Sequence, residues 1–298
     1  MPNSEQNTSP TNRSEPEPLA KSLEKAAQPE ANRAFAVDLA RAFGGAIIFS
    51  FPMLMTMENW WLGFTMDRWR FVIFIVLTLP TLVGLSYYGG FEETFHLFDD
   101  MLDAFVAYAV GFVASALMLL LFAVISWDMP LHEVIGKVAF QATTGSLGAM
   151  FAQNLLGGEA KDEGKRRATR YFGQLFLMGI GAIFLAMSIA PTQEVIVIAY
   201  QMSEWHTLAL ILATLLMMHA FVYAVEFRGQ EEIPHGTPPA HAFLRYTLVG
   251  YALALLISFY ILWTFGRFDG MATQEVMQVS IVLAFPAALG AAASRLIL

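Results

Sequence analysis

The chain has 298 residues, 56% of them apolar and only 14% charged, with a mean hydropathy of +0.53. Soluble domains hold about 45–50% apolar and about 25% charged residues; here the excess gathers into runs of about 20 residues, the length that crosses a bilayer, which excludes a soluble globular protein. The net charge of −8 lies in loops and tail and says little about partners, although no nucleic acid is expected, and the absence of Cys excludes disulfides, thiolate metal sites and a catalytic cysteine.

Residues 1–35 come first, a Pro-, Ser-, Asn-, Glu- and Gln-rich tail nearly free of large apolar groups. Such a segment buries too little surface to offset its ordering entropy and is expected to be disordered. It has no apolar core for a cleavable signal, so the first span is expected to be an uncleaved anchor. Eight spans follow at roughly 41–58, 70–90, 104–127, 136–156, 171–190, 206–227, 243–265 and 274–296. The fourth is the most polar, carrying Gln141, Thr143, Thr144, Gln153 and Asn154; hydropathy alone leaves it open to a re-entrant reading.

Two arguments make it a full crossing. Displacing the chain by 136 positions lays Gly45 on Gly181, Thr56 on Thr192, Glu58 on Glu194, Trp69 on Trp205 and Trp127 on Trp263, with 20 identities in the 83 positions from 45 to 127. At that displacement Gly148 and Ala152 fall on Ala284 and Ala288. This predicts an all-α membrane protein of eight transmembrane helices in two parallel four-helix repeats, 38–156 and 171–298, joined by a basic linker over 157–170. With both termini in the cytoplasm, thirteen of the seventeen Lys and Arg lie inside, in agreement with the positive-inside rule, and all six tryptophans fall at the outer interface, the depth their amphipathic rings favour.

Within that frame a few residues could carry chemistry. Thr56 and Glu58, with their counterparts Thr192 and Glu194, are read as closing the first span of each half at the outer face. They are either headgroup-level groups among tryptophans or a pair of carboxylates facing a shared axis, which would attract a cation. Pro52 and Pro191 free carbonyls beside them, and broken helices in membranes tend to line cavities. Spans four and eight carry small residues every fourth position (Thr144, Gly148, Ala152; Ala284, Ala288, Ala292), a packing pattern; Gln141, Thr144 and Asn154 could instead line a polar cavity. His219, in mid-span, is either bonded to a neighbouring helix or part of a proton relay. Over 90–105, Glu92, His96 and Asp100 form an i, i+4, i+8 ladder, read as the acidic face of an interfacial helix or as a weak divalent-metal candidate. No protease, Walker or nucleophile-elbow motif is present, and neither an enzyme nor a cofactor is expected.

The run FSFPMLMTMENWWLG, residues 49–63, resembles the opening signature of a bacterial family of integral membrane proteins described as a domain of unknown function. The likeness covers about residues 38–298 and is most specific at Phe49, Ser50, Pro52, Thr56, Glu58, Trp60 and Trp61. It implies a multi-pass protein of the bacterial inner membrane and no catalytic residues. The expected activity is passage of a small cation or small solute at the interface between repeats. The competing expectation is a scaffold that holds a cytoplasmic protein through residues 1–35 or 90–105.

Overall fold

The structure is a computed structural model that describes residues 17–89, 97–156, 171–224 and 243–297. Every regular element among them is helical: α1 (Glu17–Leu54), α2 (Met57–Thr65), α3 (Arg68–Gly89), α4 (Leu97–Leu121), α5 (Leu131–Leu156), α6 (Tyr171–Ile189), α7 (Glu194–Gln201), α8 (Glu204–Ala224), a π-helical turn (Phe243–Leu248) leading into α9 (Val249–Thr264), and α10 (Thr273–Ile297). Met1–Ala40 form one compact unit and Arg41–Leu298 another. Helix α1 begins at Glu17, inside the tail expected to be disordered; the run Leu19–Ala27 is rich in Ala, Leu, Lys and Glu, strong helix formers that a judgement on apolar content overlooks.

The helix ends have local causes. α1 stops at Leu54, two residues after Pro52, and not at Glu58 as the hydropathy boundary implies. Asp67 opens α3 by accepting the Trp69 and Arg70 N–H groups at 3.0 and 3.2 Å. Ala123, with φ of 55°, turns the chain out of α4, and Gly266, with φ of 71°, does so after α9. Glu275 accepts the Ala272 N–H at 2.8 Å at the start of α10.

Seven helices among the described residues are long and apolar enough to cross a membrane, where eight spans were expected. The difference is α5. Its 26 residues would extend about 39 Å, but its composition is too polar to count. Burial explains the composition: every residue from 136 to 152 is buried, so that stretch of α5 shows no face that lipid would require to be apolar. α8 is the opposite case, with only 11% of its apolar window buried and Leu208, Leu212 and Leu216 exposed in a stripe.

Close backbone contact brings α5 and α10 against the first helix of each half. A methyl group on Gly45 would collide with Gly148 and Ala152; one on Gly181 would collide with Gly290 and Ser294. Gly148 also faces Phe49, and Gly290 faces Leu185. Gly290, and not Ala284, therefore stands to Gly181 as Gly148 stands to Gly45. The displacement in the last helix is 142 rather than 136, because Glu275 lies 12 positions after Trp263 whereas Glu133 lies 6 after Trp127. At 142, Glu133, Val134, Leu147, Gly148 and Ala149 fall on identical residues.

Candidate functional site

The Pro52 break ends α1 with carbonyls that no longer have helical partners. Thr56 donates to the Pro52 carbonyl at 2.5 Å, the Trp60 indole to Leu54 at 2.8 Å, and the Gln141 amide of α5 to Met53 at 3.3 Å. The short helix α2 then packs on α5 at a glycine contact, Gly63 against Gly136 and the Lys137 backbone. One turn earlier, on the same face of α2, lies Asn59. It is fully buried, and neither end of its amide finds a hydrogen-bond partner among the described residues; the Gln141 oxygen, also fully buried, has none either. A buried polar group without a partner costs about 1–3 kcal/mol, so this pair is an expense that packing alone does not explain.

Glu133, Lys137 and Gln141 follow one another at helical spacing along α5. The Lys137 ammonium is 2.7 Å from Glu133 and 3.3 Å from the Val124 carbonyl, and lies 5.2 Å from the Phe64 ring centre. Only 7% of its side chain is exposed. Sequence reasoning counted Lys137 as a stray outer charge. The i, i+4 Glu–Lys pair on a helix with small residues was the available sign that it is enclosed.

A second feature lies between the two halves, at the end where the helix termini carry the tryptophans. Arg70 of α3 holds Asp269, in the α9–α10 turn, through two hydrogen bonds of 3.0 and 2.8 Å, and stacks over Trp263. Arg267 of the same turn is largely buried, which lowers its basicity, while the charge of Glu58 on α2 acts in the opposite sense. Beneath this ionic layer Phe265 inserts between Phe74 of α3 and Phe140 of α5, with ring centroids 5.8 and 5.4 Å away. Beneath the rings lies a small, half-open cleft walled by α3, α5, α6 and α9, in which Thr78, Thr81, Thr143 and Tyr260 interrupt an apolar lining.

The remaining expected residues scatter. Glu58 opens α2 and is half-buried near Arg267. Glu194, at the matching place on α7, is exposed, and its own backbone N–H is the main cause holding its carboxyl below the usual range. Thr192 donates to the Ile189 carbonyl at 2.8 Å. The two carboxylates thus occupy unlike environments and do not form the matched pair their spacing implied. Thr144 is buried and donates to the Gln141 carbonyl at 3.0 Å. His219 pairs through Nδ1 with Thr247 of the neighbouring π turn at 3.2 Å and lies edge-on to Phe243. Asp100 is buried and accepts from Ser86 at 3.0 Å, with Asp103 at 3.2 Å from the same hydroxyl. Glu92, His96 and the Asn154 side chain lie outside the described residues, so the metal ladder they would form has no described geometry; no cluster of three metal-ligating side chains occurs among the described residues.

Comparison with known proteins bears on the whole helical region. A family model described as "Putative integral membrane protein (DUF2391)" matches residues 38–298. No curated protein and no solved structure matches the chain.

Proposed function

The chain belongs to the DUF2391 family of integral membrane proteins, and from that premise we propose that it passes a small cation or other small solute across the bilayer through the cleft between its two halves. The observation that carries this reading is the layered order at the tryptophan end: ions, then a three-ring plug, then a cleft with hydroxyls on its walls. Parallel-repeat transporters place their solute at the interface between repeats, and the cleft is walled by helices from both halves. The matched glycine contacts of α1 with α5 and of α6 with α10 support a duplicated four-helix unit. Full enclosure of α5 supports counting it as an eighth crossing. An even number of crossings and the basic 157–170 linker favour cytoplasmic termini, and the family resemblance favours a bacterial inner membrane.

The test is ion flux in proteoliposomes, with K⁺, Na⁺ and H⁺ read separately. Wild-type protein is expected to conduct at least one of them, and Phe265→Ala, which removes the plug, to conduct faster. Glu58→Gln is expected to alter flux and Glu194→Gln to leave it near wild type, since Glu58 is half-buried and its charge acts on Arg267, while Glu194 is exposed. Absence of flux in folded wild type and folded Phe265→Ala would reject transport and favour the scaffold reading through residues 1–35 or 90–105.

A further inference from the structure

We propose that Asn59, Gln141 and the carbonyl end of α1 form a binding site for a monovalent alkali cation inside the first half. Gln141 reaches the Met53 carbonyl at 3.3 Å. Gly63 touches Gly136 and the Lys137 backbone, and Asn59 lies one helical turn back toward α1 on that face. Its amide therefore lies against α5 between Gly136 and Gln141, level with the α1 break. Both side chains are fully buried, and the Asn59 amide and Gln141 oxygen meet no partner among the described residues.

The ligand class follows from the donor set. The open groups are the Asn59 amide and the Gln141 oxygen, beside the C-terminal end of a helix, where the macrodipole places partial negative charge. That environment disfavours an anion. No carboxylate joins the set, so the second charge of a divalent ion would go uncompensated in a low-dielectric setting. A single positive charge met by neutral oxygens matches both constraints, as in transporters whose broken helices hold Na⁺ through unwound carbonyls. The Lys137 ammonium does not occupy the site, because it turns away toward Glu133 and the Val124 carbonyl.

This site is apart from the inter-half cleft, and equilibrium binding reads it with no flux required, so failure of the transport reading and failure of this one are separable. The experiment is titration of the full-length purified protein with radioactive Na⁺, then K⁺, in a choline background. Wild type should bind saturably. Asn59→Leu and Gln141→Leu should each weaken binding about tenfold or more, and Asn59→Asp, which adds a charge to a retained oxygen, should tighten it about tenfold. The Asp variant also shows that the position tolerates change without unfolding. Lack of saturable binding of either ion by folded wild type, or binding unchanged in both Leu variants, would overturn the proposal.

Discussion

α5 and α10 are each the last helix of a half, and each meets its first helix at a glycine, yet their side chains could hardly differ more. Where α5 carries Lys137, Gln141, Thr143, Thr144 and Ser146, the positions 142 residues later in α10 are Val279, Leu283, Phe285, Pro286 and Ala288. Both helices hold the Glu of the first turn, Glu133 and Glu275, and both hold the Leu-Gly-Ala step at 147–149 and 289–291. The shared residues are those that set the helix start and the backbone approach. The differing residues are those that a buried face would be cheaper without. A buried polar group needs a partner or a function, and of these two helices only α5 holds one without a partner among the described residues, the Gln141 oxygen. The proposed cation site rests on that difference.

Breaking the shared part should hurt both halves alike, and it carries the largest effect. Gly148→Val and Gly290→Val each drive a side chain into facing backbone that cannot yield; each should destabilise by about 3 kcal/mol or more, read as a shift in the denaturant midpoint of the purified protein. Unequal losses would mean that the two contacts do not match. Next comes the ion pair that α5 has and α10 lacks. Lys137→Met leaves Glu133 beside a closed apolar turn and should cost about 2 kcal/mol, reduced from about 3–5 for a fully buried pair because Glu133 still reaches solvent. The double variant Lys137→Met with Glu133→Gln should recover most of it. Gln141→Leu copies the α10 residue. It should change stability by no more than about 1 kcal/mol, since the lost bond to Met53 is offset by removing an unpartnered oxygen, while abolishing cation binding. The smallest effect belongs to the exposed link between halves: Asp269→Asn should cost no more than about 1 kcal/mol in stability.

The expectation of an all-helical membrane protein rested on runs of apolar residues, and the seven apolar helices and the family match agree with it. Where the sequence reading failed, local pattern and tertiary setting parted. Hydropathy ran span one through to Glu58, because Met55 and Met57 are as apolar as the helix before them; the Pro52 break and the start of α2 are backbone events that a window average does not register. The Glu58 and Glu194 match promised equal settings, but Glu58 is half-buried and its charge acts on Arg267, while Glu194 is exposed. Asn59 drew no attention and Lys137 counted only as one of four outer basic residues, because a single amide or lysine near an interface looks ordinary until its neighbours are known.

Composition and periodicity by themselves determined that the chain is built of membrane-length helices and that this sequence holds no thiol. Those are properties of apolar area and of spacing along one chain. Only the tertiary structure decided that the most polar of the expected spans is enclosed from 136 to 152, that α10 is displaced by 142, and that an arginine of one half holds an aspartate of the other. The physical reason is that the solvation a side chain experiences is set by which helices surround it, and hydropathy, summed along the chain, assumes that lipid surrounds them all.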